Sequence, residues 1–226
     1  MSVTEKAPEY YGRPRREMVR HVPTEAAVIL DVGCGAGAFG AGLKQQWQDQ
    51  GRQLEVWGVE MDAAAAERAA EVLDKVLVGD ADTVLADLIA RELPAGGFDA
   101  VILNDILEHV VAPENLLREL RPLLRAGGHI VSSVPNVRHF PNVVNLVVHG
   151  SWEYTDEGIL DRTHLRFFTR SSMMALFEDC GFEVASLEGI NPTGSLKFKL
   201  MNLLTFGRWS DMRYLQFAIR ARVRGQ

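Results

Sequence analysis

Ile29-Leu30-Asp31-Val32-Gly33-Cys34-Gly35-Ala36-Gly37 is the stretch that decides the fold. Its first half, with Val28, is apolar and β-branched and reads as a buried strand. The strand runs straight into glycines. Residues 37–50 follow, with Phe39, Leu43 and Trp47 spaced by four along one helical face. In an open α/β sheet, ligands sit outside the carboxyl ends of the strands, beside such a turn. Glycine lets the backbone bend sharply and approach a ligand with no β-carbon in the way.

Outward from this turn, strands and helices alternate. Residues 54–59 read as the second strand. Asp62 is placed to cap an alanine-rich helix over 63–74. A short strand at 76–78 precedes a helix at 82–91, and 98–103 is a buried strand. A helix over 114–124 turns Leu116, Leu117, Leu120 and Leu124 inward, and Pro122 is placed to shorten or kink it. Gly127-Gly128 is expected to turn into a strand at 129–134. A helix at 171–180 ends at Gly181, and strands at 182–187 and 214–223 close the chain. The pattern predicts an α/β fold, a doubly wound sheet with helices on both faces. Two stretches break the rhythm. Residues 135–170 are aromatic and rich in His, Asn and Arg, as expected of an ordered lid or acceptor loop. Residues 191–211 form an insertion before the last strand.

With 226 residues, 47% of them hydrophobic, the chain suits one domain spanning 1–226. The net charge of −6 argues against a protein that grips nucleic acid. Two cysteines, Cys34 and Cys180, support neither a disulfide framework nor a zinc site, and a cytoplasmic location is the simpler expectation. The N-terminal residues hold no apolar signal-type stretch. No segment is long enough to span a bilayer; the run 140–148 is too short and carries two asparagines.

Acids mark the candidate site. Asp31 ends the first strand, Glu60 ends the second, and Asp80 follows the third, before Ala81. A carboxylate at the Glu60 position can accept hydrogen bonds from two ribose hydroxyls. Gly35-x-Gly37-x-x-Gly40 formally satisfies the dinucleotide fingerprint, so a nicotinamide-dependent oxidoreductase is an alternative. Three features weigh against it. Asp31 sits where a pyrophosphate would be repelled and a cationic sulfonium amino acid would not. The chain carries one half of the doubly wound pattern. No Tyr-x-x-x-Lys pair exists at Tyr10, Tyr11, Tyr154 or Tyr214.

Residues 30–37 resemble the first motif of class I S-adenosylmethionine-dependent methyltransferases. Phe98-Asp99-Ala100-Val101-Ile102 with Asn104-Asp105-Ile106-Leu107-Glu108-His109-Val110 resembles their fourth-strand motif, and residues 120–128 resemble the helix and turn before their fifth strand. The resemblance implies a seven-stranded Rossmann-like sheet with the last strand antiparallel, and S-adenosylmethionine as cofactor. It implies backbone contacts to the cofactor at Gly33 and Gly35, within a cradle that includes Asp31, Cys34 and Gly37. Glu60 would hold the ribose, Met61 would pack on the adenine, and Asp80 and Ala81 would read its edge. Asn104, followed by Asp105, would present its backbone carbonyl near the sulfonium end. Tyr11 and Arg15, in an N-terminal cap over residues 1–22, would close over the cofactor carboxylate.

A narrower resemblance, carried by residues 133–139 and 158–169, is to a subgroup found with glycosyltransferases in bacterial surface-polysaccharide systems. It implies a small-molecule acceptor of sugar or sugar-nucleotide type, methylated on O or N. His164, flanked by Asp161 and Arg162, is the leading candidate base, against a reading in which the three anchor the lid. His109 follows the fourth strand, and capping of the next turn is its competing role. His139 is a weaker candidate. Arg162 and Arg166 suit an acceptor phosphate, and Trp152 and Tyr154 a sugar face, with solvated or packed lid positions as the alternatives. The histidine spacing gives no metal motif, so no metal is expected. A non-catalytic methyltransferase-like module is the remaining alternative. The apolar residues of 191–211 fit a homodimer or membrane-surface contact, and equally packing on the chain's own sheet.

Overall fold

The protein is described by a computed structural model covering residues 14–81, 84–85 and 93–225. Its strands are β1 (Val28–Val32), β2 (Glu55–Glu60), β3 (Lys75–Val78), β4 (Phe98–Asn104), β5 (Leu124–Pro135), β6 (Phe182–Pro192) and β7 (Tyr214–Val223). They form one seven-stranded sheet in the order β3-β2-β1-β4-β5-β7-β6. β1 to β5 pair in parallel, and β7 runs antiparallel between β5 and β6. The described helices are α1 (Ala38–Asp49), α2 (Ala63–Ala70), α3 (Pro113–Leu120), α4 (Phe140–His149), α5 (Arg170–Asp179) and α6 (Leu196–Leu204). Of the helix expected at 82–91, Ala81, Val84 and Leu85 are helical and the rest lies outside the described residues.

Side chains alternate across a strand, so each strand feeds two cores. Ile29, Val56, Ala100, Ile102 and Val131 pack on one face with Phe39, Leu43 and Trp47 of α1. Leu30, Val32, Val59, Val101 and Leu103 pack on the other with Leu116, Leu117 and Leu120 of α3 and Phe177 of α5. The same period of two puts Asp31, Glu60 and Asn104 on the α1 face, at the carboxyl ends of three adjacent strands. The segment before β1 is anchored there too: Met18 and Val22, in and after a 3₁₀ helix over Arg16–His21, are fully buried.

Several boundaries differ from expectation. Asp62 caps α2 as expected, accepting from the Ala65 amide at 2.7 Å. The helix ends at Ala70 rather than near 74 because Asp74 is drawn to β2, where it accepts from the Val56 amide at 2.7 Å. Pro122 does shorten α3, and a 3₁₀ turn over Arg121–Leu123 replaces its last turn. Gly127-Gly128 is not a free turn. It lies inside β5, where Leu124 pairs with Phe98 and His129 with Ala100, and the surplus residues on the β5 side are taken up as an irregularity in register. β6 runs to Pro192, since β7 keeps pairing with it as far as Tyr214.

The loop 135–170 contains α4, whose apolar run had been read only as too short to span a bilayer. Residues 191–211 hold α6. Phe198 is buried and meets Phe140 of α4 edge to face at 5.6 Å. Leu196, Leu200, Leu203 and Leu204 are exposed, so packing within the chain accounts for Phe198, which meets α4 rather than the sheet, and not for these four. No helix among the described residues is long and apolar enough to cross a membrane.

Candidate active site

The glycine turn after β1 wraps onto the end of β2. The amides of Gly33 and Cys34 both donate to the Val59 carbonyl, at 2.8 and 3.1 Å. Gly33, Gly35 and Gly37 hold φ of 73°, 56° and 79°, a region that side-chain-bearing residues seldom adopt. A β-carbon on Gly33 would collide with Ile106, so the loop after β4 lies directly against this turn. Cys34 turns its thiol toward Gly58, where an added β-carbon would sit 2.6 Å from its sulfur. Burial pushes that thiol far up.

Three polar side chains converge on this face. Glu60, almost fully buried, accepts from the Gly35 amide at 2.8 Å and the Asp62 amide at 2.9 Å. Asp31 is buried beside it, and its Oδ2 has no hydrogen-bond partner. Burial, then the nearby Glu60 charge, raises the Asp31 carboxyl to about 7. Asn104 ends β4 with both its side-chain oxygen and nitrogen buried and unpartnered. Natural proteins rarely leave such groups unsatisfied, and their clustering at strand ends marks a place prepared for a polar ligand. Gly79 donates its amide to the Glu60 carbonyl at 2.9 Å, which ties β3 to the same corner. Asp80 and Met61 stand exposed at that corner and Ala81 is half-buried. Tyr11 lies outside the described residues.

Beyond β4 the chain builds a second site. Asp105 adopts φ 55°. Its carboxylate pairs with Arg15, accepts from Ser133 Oγ at 3.0 Å, and accepts from Gln216 Nε2 at 2.8 Å. Arg15 also donates to Glu17 at 2.7 Å and Ser133 at 3.1 Å. The residue expected to meet a ligand carboxylate is thus engaged with two carboxylates of the protein. These groups border a cavity of about 480 Å³, lined also by Glu108, His109, Asp161 and His164.

The loop 135–170 reaches this cavity through backbone bonds. Leu165 and Arg166 donate their amides to the Glu108 carbonyl at 2.7 and 3.0 Å. Asp161 shapes the preceding turn, accepting from the Thr163 amide at 2.9 Å and its hydroxyl at 2.7 Å. His164 therefore lands on His109, ring centroids 4.7 Å apart and edge to face. His164 Nδ1 lies 2.9 Å from the Ile159 carbonyl, and His109 Nδ1 lies 3.3 Å from the Thr163 carbonyl. A carbonyl only accepts, so in each neutral ring the proton sits on Nδ1 and the lone pair on Nε2. Glu108, buried under both rings, has neither carboxylate oxygen hydrogen-bonded, and burial lifts its carboxyl to about 8.

The histidine spacing in the sequence gives no metal motif, yet the fold brings two histidines and an acid together. Ligand atoms of Glu108, His109 and His164 all lie within 4.8 Å of one another. Linear spacing could not reveal it, because the third member arrives on a loop 55 residues later, carried there by bonds to a backbone carbonyl. Glu108, Ser133 and Gln216 were missed as site residues. Glu108 stands within the motif around Asn104, but only the turn after β4 shows it pointing inward. Gln216 gave no signal at all; its place follows from the antiparallel register that sets it opposite Pro135. Other candidates are engaged in the lid. Trp152 and Tyr154 pack on Phe167. Arg162 pairs with exposed Asp156, and Arg166 donates to the Val111 carbonyl. His139 stands at the N-cap position of α4 without a side-chain capping bond, and burial lowers its pKa.

A family model described as a methyltransferase domain matches residues 4–187. A ubiquinone biosynthesis O-methyltransferase of Pseudomonas paraeruginosa is 30% identical over 178 residues, covering 77% of this chain and 72% of that one. Among solved structures, an SAM-dependent methyltransferase from Archaeoglobus fulgidus superposes with a TM-score of 0.66 at 18% identity, over 95% of this chain and 94% of that one. The [4+2]-cyclase SpnF superposes with a TM-score of 0.60 at 15% identity, over 96% of this chain and 81% of that one. At such identities the likeness concerns the fold alone, and the reaction has to be argued from the site.

Proposed function

Because the chain belongs to the class I S-adenosylmethionine-dependent methyltransferase family, we propose that it methylates a hydroxyl oxygen of a small-molecule acceptor held in the cavity between Arg15, Glu108 and His164. The observation that carries the reading is the set of unpartnered buried polar atoms on Asp31 and Asn104, beside the glycine turn. The residues present fit the cofactor: two acids and an amide on one sheet face suit a ligand bearing both a sulfonium and an ammonium charge. When bound, S-adenosylmethionine supplies a methyl carbon open to in-line displacement.

The protein's own part is alignment, water exclusion and proton handling. Asp31 faces the ligand's positive charge, Glu60 its ribose, and Asn104 its polar end nearest the acceptor. Ile106, on the loop after β4, packs directly against Gly33 and so fixes that loop to the glycine turn. The acceptor's hydroxyl proton passes to Nε2 of His164, the nitrogen left with a lone pair by the bond at Nδ1. The loop 135–170 closes the cavity from above, which strengthens every electrostatic contact inside it. Oxygen as the target atom is supported by the name of the Pseudomonas relative and by a proton acceptor at the cavity, which a neutral amine does not need. The resemblance of residues 133–139 and 158–169 favours a sugar acceptor, and the relative's name favours a ubiquinone precursor.

Release of S-adenosylhomocysteine, measured across sugars, nucleotide sugars, phenols and amines, tests this reading. Turnover with a hydroxyl acceptor supports it, and turnover with amines alone contradicts it. Glu60→Gln is expected to weaken S-adenosylhomocysteine binding about tenfold or more through loss of a charge-assisted hydrogen bond. Glu60→Ala is expected to weaken it further, since the Gly35 amide loses its acceptor too. An unchanged dissociation constant in both variants removes Glu60 from the site.

A further inference from the structure

We propose that Glu108, His109 and His164 hold a divalent transition-metal ion at the wall of the acceptor cavity. The inference rests on the methyl-transfer reading for the cavity's purpose but not for the cation's binding; with the cation in place Nε2 of His164 is its ligand, and the proton-acceptor role given to that nitrogen above belongs to the cation-free site.

Glu108 is the first reason. It is 1% exposed, and neither oxygen has a hydrogen-bond partner. A buried carboxylate without partners is among the costliest groups in a fold and is found paired or on a metal. The second reason is the two imidazoles. Each has Nδ1 on a backbone carbonyl, the arrangement that orients a metal-binding histidine. The third is convergence: one atom from each residue lies within 4.8 Å of the others. Ligands about 2.0–2.2 Å from a common ion lie about 3 Å or more apart, so the group is a modest closure away from ligation geometry.

Two nitrogens and one carboxylate suit Zn²⁺, Co²⁺, Mn²⁺ or Fe²⁺ rather than Ca²⁺, which prefers oxygen. Three protein ligands leave positions open, and the same residues line the cavity. Asp161, buried nearby, adds negative charge, whereas Arg15 opposes a cation from the cavity's rim. Arg15 is already paired with Asp105 and Glu17, which blunts that repulsion.

The test is calorimetric titration of chelator-treated full-length protein with Zn²⁺, alongside the visible spectrum with Co²⁺. One equivalent of Zn²⁺ and new Co²⁺ absorption bands are expected. Glu108→Gln and His164→Gln should each weaken Zn²⁺ binding by at least the 10–100-fold that loss of a mere supporting bond causes. His109→Gln serves as a third variant should either fail to fold by circular dichroism. No stoichiometric uptake by the parent, or equal affinity in the folded variants, overturns the site. S-adenosylhomocysteine is titrated into the same samples. Its binding without Zn²⁺ uptake refutes the cation alone, and Zn²⁺ uptake without its binding refutes methyl transfer alone.

Discussion

His164→Ala is expected to lower turnover by about 10²–10⁴-fold while leaving the dissociation constant for S-adenosylhomocysteine within twofold of the parent. The magnitude is that of losing a positioned proton acceptor. The separation follows from geometry. His164 borders the cavity with Glu108 and His109, whereas Asp31 and Glu60, the residues proposed to meet the cofactor, are not among those lining it. The loss is expected whether Nε2 takes the acceptor's proton directly or ligates a cation, since both uses need the same lone pair. A purely anchoring His164 predicts otherwise. Its bond to the Ile159 carbonyl would then be what matters, and His164→Gln, which can keep a donor there, would restore turnover. Measuring kcat, KM and cofactor affinity for both variants distinguishes the two. Full activity in His164→Ala contradicts any role in proton handling.

Asp31→Asn is expected to move stability and affinity in opposite directions. Without ligand, the parent buries a carboxylate oxygen with no partner beside a second acid. Removing that charge should stabilise the unliganded protein by roughly 1–3 kcal/mol, seen as a higher Tm. It should also weaken S-adenosylmethionine binding about tenfold to a hundredfold, through loss of a charged contact. The pH dependence is fixed by the direction of the shift. Folding raises the Asp31 carboxyl from its ordinary range to about 7. The folded state therefore keeps the proton after the unfolded chain has lost it, and stability falls as pH climbs through that window. Cofactor affinity should rise over the same window, because the ionised form is the one that meets the cation. Both slopes should flatten in Asp31→Asn. A destabilised variant with parental affinity would assign Asp31 to the core rather than to the ligand.

Much of this was legible in the chain because the strands are buried on both faces, which makes them continuous apolar runs. The run 28–32 entering glycines fixed the sheet's centre and the cofactor corner together. Asp31 and Glu60 were readable for the same reason, each standing at the end of such a run; Asn104 came only with the resemblance of the segment around β4, and as a backbone carbonyl, whereas its side chain is what stands buried and unpartnered. Boundaries set by tertiary contacts were not legible. α2 stops early because Asp74 reaches β2, and β5 absorbs Gly127 because its partner holds the register. α4 and α6 were hidden in stretches whose composition suggested loops. The acceptor side was read least well, since its geometry depends on loop-to-loop bonds. His164 was singled out on its neighbours Asp161 and Arg162, yet its working partners are Glu108 and His109. Nothing in the local sequence announces that the amides of Leu165 and Arg166 bond to the Glu108 carbonyl.

Titration of folded, full-length parent protein with S-adenosylmethionine and with S-adenosylhomocysteine tests the central claim most directly. One site per chain is predicted for each, with affinity for S-adenosylmethionine rising as pH passes through about 7. Absence of binding to both at millimolar concentration, in protein whose fold is intact by circular dichroism, would contradict the account.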